Sequence, residues 1–346
     1  MNPAGQMDDD TMTEGQGQRR NLITDVAGLA VGNSHDEHLR SGVTVVTFKN
    51  PTVASCAVFG GAPGCHDTQS LAPEMILPGI DAIVLSGGSA FGLDAASGAQ
   101  AHLRELGRGF AVGPARVPIV PGAILFDLLN GGNKAWGRYP PYRELAYEAA
   151  RSAAAEFALG SAGAAFGATS ISLRGGLGSV SATTTGGHTV GALAAVNALG
   201  SPVIGDGPHF WAAPWEAGTE FGGLGTPTHI TSDQLRLRWK GGPATTLAVV
   251  ATDATLTKAE CKRLAIVAQG GFARALRMSA APFDGDTVFA AATGGKPRGA
   301  EPLNDLTEIC AVAADCVARA IARGVYEAAP SDVPGAAPSW KQKFPS

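Results

Sequence analysis

Among the side chains of this sequence that could do covalent chemistry, Thr245 occupies the most suggestive position. It follows the flexible turn Lys240-Gly241-Gly242-Pro243-Ala244 and opens the run Thr245-Thr246-Leu247-Ala248-Val249-Val250-Ala251, which reads as a buried strand. A threonine hydroxyl is a weak nucleophile near neutral pH. It becomes useful when a base sits beside it, and one such base is its own free α-amine. That amine exists only if the chain is cut before Thr245. A turn that holds the Ala244 carbonyl within reach of the hydroxyl would let the acyl group shift from nitrogen to oxygen, and water would then release a new N-terminal threonine. Taken alone, Thr-Thr at a strand start is also ordinary β-propensity.

The other chemical candidates are weaker. Cys65-His66-Asp67 offers a thiol, an imidazole and a carboxylate, or a metal-binding set, but adjacent residues in a loop point apart and a turn is the preferred reading. No strand-to-helix junction carries G-x-G-x-x-G, and Gly294-Gly295-Lys296-Pro297 has proline where a phosphate loop needs Ser or Thr. Gly87-Gly88-Ser89-Ala90-Phe91-Gly92 approaches the G-x-S-x-G elbow without matching it. The seven histidines include no H-E-x-x-H pair, and His35 with His38 lies in a polar loop. Neither a metal nor another cofactor is expected.

Positioning these residues requires strands and helices, and their signals are legible. Residues 22–31, 43–48 and 54–59 alternate β-branched residues with turn clusters and predict successive strands. Apolar residues recur at helical intervals over 90–106 and 142–159. Short strands return between 171 and 203, with 189–196 the clearest. Thr257-Lys258-Ala259-Glu260 is a capping-box pattern and predicts a helix to about Met278. Asp284-Gly285-Asp286-Thr287 reads as a turn into a strand over 288–292, and a last long helix spans 306–328.

Composition bounds the rest. The 346 residues make one large domain or two modest ones. Thirty acidic against 26 basic side chains give a net charge of −4, which supplies no basic field for a phosphate backbone, so nucleic acid is not expected as a partner. Only 16% of residues are charged, against about 25% in an average soluble protein. So little charge predicts that much of the exterior packs against other subunits, in a homo-oligomer. The five cysteines form no C-x-x-C pair and read as reduced, buried thiols of a cytoplasmic protein. Residues 1–20 are polar and acidic, lack a secretory signature, and are expected to be a disordered tail; 331–346 are Pro-rich and expected to be loose. No apolar run is long enough to predict a membrane span.

Several stretches in this order resemble the DmpA-like family of self-cleaving hydrolases, peptidase family S58, which includes L-aminopeptidase/D-esterases, β-peptidyl aminopeptidases and nylon-oligomer hydrolases. They include Ile23-Thr24-Asp25-Val26-Ala27-Gly28-Leu29, Gly60-Gly61-Ala62-Pro63-Gly64, the segment from Leu85 to Ala96, Val117-Pro118-Ile119-Val120-Pro121, Gly175-Gly176-Leu177-Gly178-Ser179, Ala195-Val196-Asn197-Ala198-Leu199-Gly200 and Thr245-Thr246 with Ala251-Thr252-Asp253-Ala254. The resemblance implies an α/β, αββα sandwich over 21–330, layered as in Ntn hydrolases, cut between Ala244 and Thr245 into chains 1–244 and 245–346 that stay together. It implies Thr245 as nucleophile and base of an aminopeptidase or amidohydrolase acting on small peptides, amides or esters, in a tetramer or larger assembly.

By the same resemblance Asn197 matches the oxyanion-site asparagine, and Asp284 and Asp286 match polar positions beside the nucleophile. Read from the residues alone, Asn197 is a turn after a strand, and Asp-Gly-Asp is a tight turn or a cation site. Phe91 matches a pocket wall, or else is core. Relatives carry a lysine after Gly167-Ala168-Thr169; here the count falls on Ser172, with Arg174 two residues on as a source of positive charge that cannot release a proton. Relatives also have Asn or Gly before the cut, where this chain has Ala244. These departures keep open an uncleaved scaffold or small-molecule binding protein, and acyl transfer to an amine is a third reading.

Overall fold

The computed structural model describes residues 19–345. In chain order the elements are β1 (Leu29–Asp36), β2 (Ser41–Val58), β3 (Cys65–His66), β4 (Ile80–Ser86), α1 (Ala95–Glu105), β5 (Phe110–Val112), β6 (Ala115–Val117), β7 (Gly122–Ile124), α2 (Tyr142–Arg151), β8 (Gly176–Thr183), β9 (Thr189–Asn197), β10 (Thr245–Ala254), α3 (Lys258–Ala268), α4 (Gly270–Ala275), β11 (Thr287–Lys296), α5 (Pro302–Tyr326) and α6 (Trp340–Lys343).

One long strand creates two layers. Residues 43–47 of β2 pair with β4 and 41–48 with β1, whereas 53–58 pair with β11, so the ladder β3-β7-β4-β2-β11-β10-β9-β8 divides at β2 into two sheets. Strand alternation then assigns every side chain to a layer. Leu247, Val249 and Ala251 of β10, with Leu193 and Ala195 of β9, pack between the sheets against Val46, Phe48, Ile83 and Leu85. The intervening Ala248 and Val250, with Ala192, Ala194 and Val196, face outward onto Leu264 of α3 and Ile309, Val317 and Ile321 of α5. On the opposite side Val43, Val45, Ala82 and Val84 bury α1 and α2 through Ala96, Ala99, Leu103, Ala146 and Ala149. The result is the αββα sandwich. Because β10 is covered on both faces, its run is apolar without the polar alternation of a surface strand.

Several expectations are corrected. The strands expected over 43–48 and 54–59 are one continuous strand, β2, whose exposed middle leaves one sheet before joining the other. The strand expected over 22–31 begins only at Leu29, after a 3-10 turn from Ile23 to Asp25. The helix over 90–106 starts as a 3-10 segment, Ser89–Asp94, and that over 142–159 stops at Arg151. The capping box at Thr257 forms, with Thr257 Oγ1 accepting from the Glu260 amide at 3.2 Å, but the helix expected to reach Met278 breaks at Gln269, just before the weak helix formers Gly270 and Gly271, and its second part ends at Ala275. The segment after 330, expected to be loose, returns to the body: Trp340 is buried, stacks on Phe210 and donates Nε1–H to Pro208 O at 2.9 Å. Of the disordered tail expected over 1–20, all but the last two residues lie outside the described residues. Among the described residues, no helix is long and apolar enough to cross a membrane.

Candidate active site

Thr245 and Asn197 meet because two antiparallel strands end in register. Thr245 begins β10, Asn197 ends β9, and the two are ladder partners. Each shares its strand face with the residues that fill the inter-sheet layer, Leu247 and Val249 for one and Leu193 and Ala195 for the other. Both side chains therefore emerge at the edge of the gap between the sheets, and both residues are buried.

The peptide bond before Thr245 lies in a polarising setting. Thr245 Oγ1 is 2.5 Å from the Ala244 carbonyl oxygen, which also accepts the Gly285 amide N–H at 2.9 Å. The Ala244 amide in turn donates to Phe283 O at 3.1 Å, a short parallel bridge that fastens the turn to the loop before β11. Only glycine fits at 285, since a Cβ there would stand 2.5 Å from Thr245 Oγ1. That loop is braced from β2: the amides of Phe59 and Gly60 donate to Asp286 O and that of Ala62 to Asp284 O. A Cβ on Gly60 would meet Asp284 O at 2.2 Å, which gives the Gly60-Gly61 pair its place in the sequence.

Asp284 and Asp286 are brought to this corner, but in the intact chain neither carboxylate bonds the Thr245 hydroxyl. Asp286 accepts the amides of Thr246 and Ala280, each at 2.7 Å. Asp284 Oδ2 accepts the Ala281 amide at 3.2 Å, while its Oδ1 is buried without a partner. Burial pushes both carboxyls above their ordinary range; for Asp286 the neighbouring Asp284 adds to the rise, and for Asp284 the Lys240 ammonium opposes it. A buried carboxylate oxygen without a donor is costly, of order 1–3 kcal/mol or more.

Asn197 is held on three sides. Its Oδ1 accepts the Thr169 amide at 3.0 Å and the Lys240 ammonium at 2.8 Å, and its Nδ2 donates to Phe126 O at 2.8 Å. One Nδ2 hydrogen remains for a further acceptor. A cavity of ≈ 180 Å³ opens beside it, lined by Phe126, Asp127, Leu129, Asn130, Thr169 and Lys240 among others.

The remaining sequence candidates fall elsewhere. Phe91 is exposed and packs edge-on against Trp136. Ser172 lines a different cavity, with Ser201, Trp211 and Arg277. The Arg174 guanidinium is spent on the carbonyls of Phe166 and Pro330. Cys65 sits half-buried in β3, its thiol raised by burial and 3.8 Å from Thr287 Oγ1. Sequence reasoning missed Lys240 and the Gly285 amide. Lys240 was visible only as the charged edge of a turn, and a backbone N–H leaves no mark on residue type.

The sequence model described as Peptidase family S58 matches residues 21–336. An uncharacterized aminopeptidase of Mycobacterium tuberculosis (strain H37Rv) is 40% identical, the alignment covering 94% of this chain and 98% of the relative. One of Mycobacterium leprae (strain TN) is 39% identical over 89% of this chain and 91% of its own length. Among solved structures, a Burkholderia sp. beta-aminopeptidase superposes with TM-score 0.69 at 23% identity, covering 95% of this chain and 93% of that one. The L-aminopeptidase D-Ala-esterase/amidase of Ochrobactrum anthropi, described as a variant of the Ntn hydrolase fold, gives 0.64 at 19% identity, covering 89% and 86%. Both likenesses concern the fold.

Proposed function

Since the chain belongs to peptidase family S58, and is thereby a hydrolase of peptide bonds, we propose that it is a self-processing aminopeptidase with Thr245 as its nucleophile. The observation that carries this reading is the Ala244 carbonyl, whose oxygen accepts from the Thr245 hydroxyl at 2.5 Å and from the Gly285 N–H, so that hydroxyl and polarised carbonyl lie side by side. In self-cleavage the hydroxyl oxygen bonds the Ala244 carbonyl carbon, its proton passes to the Thr245 nitrogen and the C–N bond breaks, leaving an ester. Water then cleaves the ester into an Ala244 carboxylate and a Thr245 that carries both hydroxyl and free amine. The developing oxyanion of the first step lies on the Gly285 amide.

In the mature enzyme the new amine takes the hydroxyl proton as the oxygen attacks the carbonyl of the substrate's first residue. The proton passes on to the departing amine, and water releases the acyl group from Thr245. The spare Nδ2 hydrogen of Asn197 donates to the oxyanion of this step. Asp284 Oδ1, buried without a donor in the intact chain, accepts from the α-ammonium that exists only after the cut, and Asp286 keeps the Thr246 amide in place. The domain over 21–330, split at 244 but not separated, carries the whole site. The five free cysteines agree with a cytoplasmic protein. The exposed apolar side chains Phe110, Val112 and Val117 of the β5–β6 hairpin agree with assembly into a homo-oligomer.

The test is N-terminal sequencing of purified, active protein beside a Thr245→Ala variant. A fragment beginning Thr-Thr-Leu-Ala in the wild type, with an intact and inactive variant on aminoacyl p-nitroanilides, is the expected result. Active wild type without that fragment, or an active variant, overturns the reading.

A further inference from the structure

Lys240 brings a cation to the Asn197 side of the site. Lys240 lies on the loop ahead of the cut, where its backbone N–H donates to Leu199 O at 3.0 Å. Its Nζ is ringed by four oxygens: Asn197 Oδ1 at 2.8 Å, Thr169 O at 2.9 Å, and Thr169 Oγ1 and Asn197 O at 3.3 Å. The Thr169 amide is the second donor to Asn197 Oδ1. With two donors on Oδ1, flipping the Asn197 amide would set its own N–H groups against them and abandon both hydrogen bonds. The amide nitrogen is therefore fixed on the opposite side, where Phe126 O takes one hydrogen. The ammonium also lies in the field of the buried carboxyls Asp127 and Asp284.

Resting on the Thr245 reading, we propose that Lys240 is a positioning residue for the reaction: its ammonium, held on the upstream loop, locks the Asn197 amide with Nδ2 toward the reacting carbonyl. Scission reinforces this role. The new Ala244 carboxylate forms beside Asp284 and Asp286, and like charges in a buried corner repel. A Cβ on Gly241 or Gly242 would meet nothing within 4 Å, so these two residues have open space in which to turn, whereas Ala244 is buried and must give up its bonds to Phe283 and Gly285 to vacate the place of the substrate's acyl group. Lys240 stays behind, fastened by Leu199 O and Thr169. Burial holds its amine well below the usual lysine value, at about 7, against the opposing pull of Asp284 and Asp127, so its positive charge falls away as pH rises past neutrality.

The experiment compares full-length wild type, Lys240→Met and Lys240→Arg for self-cleavage, melting temperature, and kcat and KM per cleaved chain across pH. Lys240→Met is expected to lower kcat about ten- to a hundredfold, the cost of one hydrogen bond to a charged group, with a smaller effect on KM because Lys240 acts through Asn197. Lys240→Arg is expected to restore most of kcat and to move the alkaline fall in kcat upward, since a guanidinium keeps its proton. A merely structural lysine would lower the melting temperature and leave the pH profile alone. If Lys240→Met does not fold, the shift of the alkaline limb in Lys240→Arg decides. Unchanged kcat in Lys240→Met, or an unmoved limb in Lys240→Arg, overturns this inference alone. Absence of scission in the wild type, or activity of Thr245→Ala, overturns the Thr245 reading instead.

Discussion

Two buried clusters of charged and polar groups lie in the same half of the sandwich, and their protons are held in opposite ways. Where Arg319 meets Glu220, Nε and Nη2 bond the two carboxylate oxygens at 2.6 and 2.9 Å, while Asn21 adds a donor to Glu220 and an acceptor for Arg319. Burial alone would push Glu220 up, but bonds from Arg319 and Asn21 outweigh it and hold the carboxyl below its ordinary range; the Arg319 guanidinium is likewise driven further toward its charged form by Glu220 against the effect of burial. Around Thr245 the balance is reversed. Asp284 and Asp286 are raised, Lys240 is lowered to about 7, and Asp284 Oδ1 has no partner. The first cluster pairs the Arg319 and Glu220 charges and ties α5 to Asn21. The second leaves protons loosely held, a pattern that suits proton transfer and a chain that changes its own covalent structure.

The contrast can be broken or sharpened experimentally. The largest effect is expected from Gly285→Ala, whose methyl group would stand 2.5 Å from Thr245 Oγ1: self-cleavage should stop, read as a single intact chain on a denaturing gel, and aminopeptidase activity with it. Next, Arg319→Met should cost about 3–5 kcal/mol of stability by stranding a buried carboxylate, measured by urea unfolding, while the folded fraction keeps its kcat. Adding Glu220→Gln should recover much of that loss. A fall in kcat with stability intact would erase the distinction between the clusters.

Asn197→Ala should instead act mainly on the reaction, lowering kcat about 10²–10³-fold, the usual cost of one oxyanion donor, with some fall in melting temperature because the Thr169 amide, Phe126 O and the Lys240 ammonium lose a partner. The smallest effect concerns pH. In uncleaved Thr245→Ala, Lys240 titrates near 7 when folded and near 10.5 when unfolded, so from pH 7 to 9 the unfolded chain binds more protons and stability should rise with pH. In Thr245→Ala/Lys240→Met that rise should be reduced. The matched Glu220–Arg319 pair stays ionised throughout this window and contributes no slope.

Much of the frame was legible because it follows from local periodicity. The unbroken apolar run after Thr245 announced a strand covered on both faces, and Thr257-Lys258-Ala259-Glu260 announced a helix start. Asn197 was legible only through resemblance: nothing about an asparagine after a strand says that its ladder partner is Thr245. A lysine was expected by counting forward from Thr169, which led to Ser172 and not to Lys240. The ammonium reaches Thr169 from 71 positions away in sequence, and spacing carries no trace of such a contact.

The sequence by itself determined that β9 and β10 are strands covered on both faces, and that Thr245 stands where a turn enters one of them. A run apolar at nearly every position is enough to fix that, because only a strand covered on both faces keeps all of its side chains from water. Tertiary structure alone decided which donors surround that end: the Gly285 amide on the Ala244 carbonyl, Lys240 on Asn197, and an Asp284 oxygen left without a partner. Hydrogen bonds act over about 3 Å, so their pairing depends on where distant loops come to rest and not on the order of residues along the chain.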